Sequence, residues 1–294
     1  MIRYAAIDIG SNAVRLLIAD VIHKDDRYTY KKNTLVRVPL RLGDDAFLDN
    51  VISEKKSAAL YKTMRAFRDL MDVYQVTDYL ACATSAMREA SNGPALAAAI
   101  REQTGLNLEI VAGAREARII YANHIEAQLD IDKNFLYIDV GGGSTEISLF
   151  VDKKLVASRS FNIGTIRILD NQDKEEHWDE MHDWVRLQTK QQKQLVAIGT
   201  GGNINKLFRM SEEKENMPIS FAKLNSLYNK INGLSLKERI SLLGLNQDRA
   251  DVIVPAAEIY LTLLKWTGIR QIYVPRVGLA DGMINLMIEE NLQA

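Results

Sequence analysis

The sequence contains few cysteines, few prolines and no long apolar run. Its 294 residues include one cysteine, Cys82, and 5 prolines. One cysteine cannot form an internal disulfide, and Arg3 and Asp8 interrupt the apolar N-terminal stretch, so the sequence argues against secretion and we expect a cytoplasmic protein. No segment approaches the roughly 18 uninterrupted apolar residues of a membrane span, and we expect no membrane partner.

An excess of charge of either sign is also missing. The chain carries 37 Lys and Arg against 38 Asp and Glu, a formal net charge of -1 at pH 7. This balance creates no overall field that would attract nucleic acid, so we expect no nucleic-acid partner, and any site for a polyanion must be local. With 47% hydrophobic and 26% charged residues, the composition is typical of a globular protein.

Two distant segments, residues 6–12 and 137–145, resemble each other. In each, a short apolar strand contains an aspartate near its end, Asp8 or Asp139. A turn rich in glycine, serine or asparagine follows, and residues with high β-propensity resume after the turn. Both segments are therefore predicted to form β-hairpins, which indicates an internal repeat.

Further strands and helices follow each hairpin. Apolar residues at helical spacing, cap signals and β-rich runs predict, in the first copy, a strand at 28–38, a helix at 53–74, a strand at 79–84, a helix at 94–103 and a strand at 108–111. The second copy repeats this order more loosely, from a strand at 155–162 to a closing helix at 280–290.

These elements predict an α/β protein of two similar domains, residues 1–124 and 125–294, with the option that the helix of residues 280–294 packs back on the first domain. A helix predicted over residues 115–128 joins the two copies. If the two sheets face each other, both aspartate-containing hairpins lie at the floor of an interdomain cleft, where ligands of open α/β folds tend to bind.

Three glycine-rich turns could hold a phosphate group. They are Gly10-Ser11-Asn12, Gly141-Gly142-Gly143-Ser144 and Gly199-Thr200-Gly201-Gly202. Glycine lets backbone N–H groups approach an oxyanion, and a helix that starts just after such a turn adds the positive end of its dipole. Hairpins need glycine for their geometry as well. Three such turns, two of them at equivalent places in a repeat, favour phosphate binding.

Acidic residues accompany these turns. Asp8 and Asp139 could each form an Asx-turn or face a site, and their pairing across the repeat favours the site. Two carboxylates beside phosphate-binding turns suit Mg²⁺, which prefers one or two carboxylates together with water and phosphate oxygens. Glu146 could add to this cluster or could be a solvent-facing strand residue. Arg88 could clamp a phosphate oxygen or pair with a surface acid.

Five ordered motifs, at residues 6–12, 84–92, 111–118, 138–146 and 199–202, resemble those of the exopolyphosphatase and guanosine pentaphosphate phosphohydrolase family in its short, two-domain form. This family belongs to the actin-like ATPase superfamily. The resemblance implies two ribonuclease-H-like domains and Mg²⁺-dependent removal of the terminal phosphate from inorganic polyphosphate or from guanosine pentaphosphate. It also implies a homodimer.

The resemblance assigns roles to single residues by their motif positions. Glu116 matches the catalytic glutamate of the family, and Asp139 and Glu146 match acidic residues around the metal and the attacking water. The second and third glycine-rich turns match phosphate loops, and Arg88 matches an arginine that contacts phosphate. The chain departs from the family pattern at two positions: Arg115 replaces a glutamate next to Glu116, and Ala280 stands where an arginine is usual.

We therefore expect an exopolyphosphatase whose attacking water is oriented by Glu116. A guanosine pentaphosphate phosphohydrolase is the nearest alternative, because it would use the same residues around the terminal phosphate. A kinase-like phosphotransferase would need an acceptor pocket and a basic aspartate, and the Glu116 motif disfavours it. A polyphosphate- or nucleotide-binding regulator without catalytic activity is the remaining alternative, which the departures at Arg115 and Ala280 leave open.

Overall fold

The computed structural model of the protein describes residues 2–24, 27–125, 134–192 and 194–292. The chain divides into two compact units. Unit 1 contains Met1–Asn123 together with Gly278–Ala294, and unit 2 contains His124–Val277. The last part of the chain therefore belongs to unit 1, although it follows unit 2 in the sequence.

Unit 1 is built on a five-stranded mixed sheet. Its elements are β1 (Arg3–Ile9), β2 (Val14–Lys24), β3 (Arg27–Val38), α1 (Leu42–Leu48), α2 (Glu54–Val73), β4 (Asp78–Ala83), α3 (Ser85–Glu89), α4 (Gly93–Thr104), β5 (Glu109–Ile110), α5 (Gly113–Tyr121) and the last helix of the chain, Leu279–Leu292. The strand order is β3-β2-β1-β4-β5. β1 pairs antiparallel with β2 and parallel with β4, and β4 pairs parallel with β5.

The helices of unit 1 follow local signals and bury apolar faces against this sheet. Ser53 caps α2, because its side chain accepts a hydrogen bond from the backbone N–H of Lys56. Leu60, Met64 and Phe67 of α2 are buried in one core with apolar residues of β1 and β2. Burial of such side chains from water is the main stabilising contribution to this layer.

Unit 2 is built on a six-stranded sheet. Its elements are β6 (Phe135–Val140), β7 (Thr145–Val151), β8 (Lys154–Phe161), α6 (Thr165–Leu169), α7 (Glu175–Thr189), β9 (Val196–Thr200), α8 (Gly202–Ser211), β10 (Ile219–Ser220), α9 (Phe221–Asn232), α10 (Leu236–Leu243), α11 (Gln247–Ala250), α12 (Ile253–Thr267) and β11 (Gln271–Tyr273). The strand order is β10-β11-β9-β6-β7-β8. Its main apolar core includes residues of β6, β7, β9, α8 and α12.

The two sheets repeat one topology. The order β8-β7-β6-β9-β11 in unit 2 matches β3-β2-β1-β4-β5 in unit 1, and β10 is an added edge strand. The pairing directions also match, because β6 is antiparallel to β7 and parallel to β9, and β9 is parallel to β11. The predicted α/β fold with two similar halves is confirmed. In the described residues, no helix is both long and apolar enough to cross a membrane.

The last helix, α13 (Leu279–Leu292), packs against α5 and against the sheet of unit 1. Gly282 makes this contact close, because a Cβ atom there would lie 1.8 Å from the carbonyl oxygen of Ile119. Asp281 is buried, and its Oδ1 lies 2.7 Å from Tyr30 Oη and 2.6 Å from Lys32 Nζ, both on β3. Ala280, where the resembled family usually has arginine, is buried in this unit.

The predicted helix over residues 115–128 is shorter in the structure, because α5 ends at Tyr121. The side-chain amide of Asn123 donates to the carbonyl oxygen of Ile120 at 2.8 Å, which satisfies a helix-end acceptor. His124 then adopts a positive φ of 46°, a conformation outside right-handed helix. The prediction for residues 126–128 lies outside the described residues.

Candidate functional site

The first predicted turn joins β1 to β2 and is closed by a hydrogen bond of 3.1 Å from the N–H of Gly10 to the carbonyl oxygen of Ala13. Asp8 lies on β1 directly opposite Arg15 on β2. Asp8 is 6% exposed, and its carboxylate accepts a hydrogen bond of 2.7 Å from Arg15 Nη1. The partner of Asp8 is therefore a cation on the adjacent strand.

The backbone carbonyls of this turn are tied to the segment after β3. The carbonyl oxygen of Ser11 accepts from the N–H of Gly43 at 2.9 Å, and that of Asn12 accepts from the N–H of Arg41 at 3.0 Å. In a trans peptide the C=O of one residue and the N–H of the next point in opposite directions. The N–H groups of Asn12 and Ala13 therefore point away from this segment.

The other predicted residues of unit 1 lie at the ends of the neighbouring strands β4 and β5. Arg88 lies on α3, after β4, and its Nη1 donates to the carbonyl oxygen of Val111 at 2.9 Å. Glu116 lies in the first turn of α5, after β5, and is 8% exposed. Arg88 Nη1 is 3.8 Å from Glu116 Oε2. Arg88 therefore lies near an acid, as one of its two interpretations expected, but that acid is buried and not at the surface.

Arg115, one of the two departures from the resembled pattern, pairs with a different acid. Its Nε lies 3.7 Å from Glu109 Oε1. Adjacent residues on a helix point about 100° apart, and the pairing with Glu109 agrees with that geometry. The replacement next to Glu116 therefore leaves the carboxylate of Glu116 beside Arg88.

The pKa of the Cys82 thiol, on β4, is raised by its surroundings. The thiol is buried, and burial together with the negative charges of Glu109 and Asp8 raises its pKa to about 12. Glu116 contributes in the same direction, and Arg115 opposes it. Asp8 is paired with Cys82 across β1 and β4, and Glu116 follows β5, whose Glu109 is also paired with Cys82, so both predicted carboxylates lie at one end of the sheet of unit 1. The buried, protonated Cys82 is a packing residue.

The second predicted turn, in unit 2, has the same closure as the first. The N–H of Gly141 donates to the carbonyl oxygen of Ser144 at 2.9 Å. Its three glycine carbonyls are then held by the segment after β8: Gly141 O by Thr165 N at 3.1 Å, Gly142 O by Ile166 N at 2.8 Å, and Gly143 O by Arg167 Nε at 2.6 Å. Three successive N–H groups, those of Gly142, Gly143 and Ser144, therefore face away from this segment. Successive N–H groups in a turn form a concavity that binds anions.

Two carboxylates lie beside this turn. Asp139 on β6 is paired directly with Glu146 on β7. Glu146 is 4% exposed, and its Oε1 accepts a hydrogen bond of 2.7 Å from Ser160 Oγ. The alternative that Glu146 faces solvent is wrong, because both faces of β7 are buried. Burial and the charges of Asp139 and Glu146 raise the pKa of the Tyr260 hydroxyl well above its usual range.

The third predicted turn follows β9, the parallel neighbour of β6, so it lies beside the second one. Gly201 has φ 100°, which only glycine adopts readily, and a Cβ atom there would lie 2.6 Å from Asp139 Oδ1. Gly202 then begins α8, whose first N–H groups have no partner within the helix. At Gly199 a Cβ atom would meet Ile272 Cδ1 at 2.8 Å, so that glycine serves packing. Thr200 is buried, and its carbonyl oxygen accepts from Tyr260 Oη at 2.7 Å.

Each unit thus brings its predicted residues to the carboxyl end of its parallel strands. Unit 1 places Asp8, Arg88 and Glu116 after or near the ends of β1, β4 and β5, and unit 2 places Asp139 and Glu146 beside the turn of residues 141–144. Arg167 and Tyr260 were not anticipated from the sequence. Arginine and tyrosine are rarely fully buried, so single-sequence patterns carry no signal for them. The described part of the chain contains no group of three or more His, Cys, Asp or Glu side chains that could hold a metal ion.

Comparison with known proteins decides the family. The sequence model of the Ppx/GppA phosphatase family matches residues 34–291. The chain belongs to this family. The family resemblance is confirmed, and so is the expected fold of two similar α/β domains.

Curated relatives of this family member include two named enzymes. The Fusobacterium nucleatum protein named bifunctional 3-dehydroquinate synthase/phosphatase is 29% identical over 289 residues, which cover 90% of this chain and 43% of that protein. Exopolyphosphatase 1 of Mycobacterium tuberculosis is 24% identical over 302 residues, which cover 96% of this chain and 87% of that protein. The chain therefore spans less than half the length of the first relative and most of the second.

Solved structures of the family have the same fold. An exopolyphosphatase from Cytophaga hutchinsonii matches with a TM-score of 0.84 and 25% identity over 98% of both chains. The Ppx/GppA family member of Aquifex aeolicus matches with a TM-score of 0.78 and 22% identity, over 100% of this chain and 99% of that one. The second likeness supports the fold alone.

Proposed function

We propose that the protein is an exopolyphosphatase, which hydrolyses the terminal phosphoanhydride bond of inorganic polyphosphate. One observation carries this proposal: the turn of residues 141–144 directs three N–H groups to one side, beside the carboxylates of Asp139 and Glu146. N–H groups bind the oxygens of a phosphate, and carboxylates bind the cation that accompanies it. The names of the family and of its relatives agree with a phosphatase.

The proposed chemistry assigns different roles to the residues. The N–H groups of the turns and the guanidinium of Arg88 would bind phosphate oxygens. Phosphoryl transfer has a loose transition state, so positioning and charge stabilisation contribute more than a strong base. Glu116 would accept a hydrogen bond from the attacking water, orient it, and take its proton as the bond to phosphorus forms.

The acidic residues fit Mg²⁺. Gly201 leaves the space beside Asp139 Oδ1 free of a side chain, since a Cβ atom would lie 2.6 Å away. Asp139 and Glu146 would hold the ion, in a set of oxygen donors that Mg²⁺ prefers. When bound, Mg²⁺ would neutralise charge on the phosphate oxygens. Asp8 was also expected as a metal ligand, but Arg15 already binds one of its carboxylate oxygens, so we propose that Asp8 positions Arg15.

Guanosine pentaphosphate is the second candidate substrate. The motif resemblance implies either activity, and the residues above would act on a terminal phosphate whatever lies behind it. A cytoplasmic location and a homodimer remain predictions from composition and resemblance.

Phosphate release tests the proposal. The full chain would be incubated with polyphosphate, guanosine pentaphosphate or ATP, each with and without Mg²⁺. We expect release from polyphosphate that requires Mg²⁺ and little release from ATP. Release from guanosine pentaphosphate alone would establish the second candidate. Transfer from ATP to an acceptor would establish a kinase-like enzyme, and binding without any release would establish a regulator.

A further inference from the structure

We propose that Arg167 is a positioning residue for the phosphate-binding turn of residues 141–144. Its guanidinium holds the carbonyl of Gly143 on one side of the turn, so that the N–H of Ser144 faces the phosphate on the other. This inference rests on the proposed function, because it concerns the turn that we propose binds the substrate.

The position of Arg167 is unusual for an arginine. It lies in α6, directly after β8, and is 6% exposed. Arginine is almost never buried without partners, because removing its charge from water is costly. Here Nε donates to the carbonyl oxygen of Gly143 at 2.6 Å. A hydrogen bond with a charged donor is stronger than a neutral one, so this contact holds its acceptor firmly.

The geometry of the peptide bond links this contact to the turn. The C=O of Gly143 and the N–H of Ser144 belong to one planar trans peptide and point in opposite directions. If the carbonyl rotated away from Arg167, the N–H would rotate away from the anion side. Glycine has no Cβ atom, so the two peptides on either side of Gly143 rotate with little steric resistance. A flexible peptide that must bind an anion in one orientation requires an external restraint.

Among the hydrogen bonds described above for the turn, the one to this peptide comes from a side chain. The carbonyls of Gly141 and Gly142 are held by the backbone N–H groups of Thr165 and Ile166, which most residue types supply. Gly164 permits this contact, since a Cβ atom there would lie 2.4 Å from the carbonyl oxygen of Gly142. In unit 1 the equivalent carbonyl, that of Asn12, is held by the backbone N–H of Arg41. The side-chain restraint therefore belongs to unit 2.

Two substitutions of Arg167 and one control substitution test whether the hydrogen-bond donor or the positive charge of this side chain matters. Arg167→Gln places a neutral N–H donor, Nε2, at the same number of bonds from Cα as Nε of arginine. Arg167→Met has similar length without donor or charge. Arg186→Met is the control, since Arg186 is an exposed arginine on α7 of the same unit. Thermal unfolding of each variant checks that it folds.

The readout is binding of tripolyphosphate without Mg²⁺, by calorimetry. We expect Arg167→Met to weaken binding roughly tenfold, as for loss of a charge-assisted hydrogen bond. Arg167→Gln should bind within a few-fold of the unchanged protein, and the control should bind as the unchanged protein does. Equal loss in the Gln and Met variants would overturn the proposal, because charge and not the donor would then matter. Unchanged binding in the Met variant would overturn it as well.

A second measurement needs no substitution. In the unchanged protein, added tripolyphosphate should shift the NMR signals of the amides of Gly142, Gly143 and Ser144. A Ser144 amide that does not respond would overturn the proposal even if Arg167→Met failed to fold. Both readouts are independent of hydrolysis. A protein that binds tripolyphosphate through these amides but releases no phosphate would refute the proposed function and leave the role of Arg167 intact.

Discussion

Each unit places an aspartate at an equivalent position of its own sheet, and the two units differ in the residue opposite that aspartate. In unit 1 the residue opposite Asp8 is Arg15, and the two form an ion pair of 2.7 Å. In unit 2 the residue opposite Asp139 is Glu146, so two acidic residues are paired across the strands. The duplicated topology therefore determines where a charged residue lies, and the neighbouring strand determines whether the residue opposite it carries the opposite or the same charge.

This comparison suggests a division of work between the units. Unit 1 holds Glu116, which we propose acts on water, and unit 2 holds the carboxylates and turns, which we propose bind Mg²⁺ and phosphate. Substitutions at matched positions should then affect different steps of the reaction or different properties of the protein.

The largest effect is expected for Glu116→Gln. This change keeps the shape of the side chain and removes its charge, so the fold and the binding of tripolyphosphate should persist while turnover falls by roughly 100-fold or more. Steady-state phosphate release and calorimetry measure the two properties. Glu102→Gln, on the exposed face of α4, is the matched control and should change neither. Near-normal turnover in Glu116→Gln would show that this carboxylate takes no part in the reaction.

A smaller effect is expected for Gly201→Ala. The new Cβ atom would displace the Asp139 carboxylate, which lies 2.6 Å from its position, and a misplacement of ~1 Å can lower a rate by up to roughly 100-fold. The positive φ adds a cost of about 1–3 kcal/mol to the stability of the fold. Activity across a Mg²⁺ titration and chemical denaturation measure both effects.

Gly10→Ala, in the hairpin turn of unit 1 that is equivalent to the turn at Gly141, is a comparison substitution whose Cβ atom would not meet the carboxylate of Asp139. A Cβ atom there would lie 3.2 Å from the carbonyl oxygen of Ala13, so a shift of a few tenths of an ångström accommodates it. We expect a much milder loss than for Gly201→Ala. Equal losses at the two glycines would show that displacement of the Asp139 carboxylate does not cause the effect of Gly201→Ala.

The two aspartates should differ in how Mg²⁺ affects stability. Asp8→Asn weakens the acceptor of Arg15 and should lower the free energy of unfolding by about 1–2 kcal/mol. Asp139→Asn removes a carboxylate that we propose binds Mg²⁺, so it should reduce the stabilisation that added Mg²⁺ gives the unchanged protein, whereas Asp8→Asn should keep that stabilisation. Urea denaturation of both variants with and without Mg²⁺ measures this difference. Equal loss of the Mg²⁺ effect in both variants would contradict the distinction between an ion pair and a proposed cation site.

The smallest effect concerns Cys82, which lies beside Asp8 as Thr200 lies beside Asp139. Because its pKa is raised to about 12, the thiol stays protonated below that pH, and at pH 8 only roughly one molecule in 10⁴ carries the thiolate. The folded protein should therefore resist iodoacetamide at pH 8, and the protein in guanidinium chloride should react with one equivalent. Intact mass measures both. Rapid labelling of the folded protein would show that this position is open to solvent.

Much of the fold follows from local signals. Ser53 and Gly105 mark helix ends through their hydrogen-bonding capacity and backbone freedom, and the structure places both at helix termini. The repeat of the aspartate hairpin predicted the shared topology. The end of α5 could not be predicted in this way, because the apolar spacing continues past Tyr121 and the helix ends through a side-chain hydrogen bond from Asn123.

The candidate site was predictable where residue type and spacing carry the chemistry, and not where tertiary packing does. The turns at Gly10 and Gly141 were recognisable from composition. The burial of Glu146 was not, since alternation reveals one buried face and β7 is buried on both. The role of Arg167 could not be predicted for a related reason. The sequence does not distinguish a buried arginine from an exposed one, and the contact with Gly143 forms only when the chain folds.

The placement of α13 has a consequence for synthesis of the protein. Unit 2 is one continuous stretch of chain, whereas unit 1 also needs the helix that closes over α5 at Gly282. Domains usually fold in the order in which they leave the ribosome. Here the N-terminal unit emerges first but cannot be completed until the final helix has been translated, so the nascent chain would carry an unfinished first unit while the second one folds.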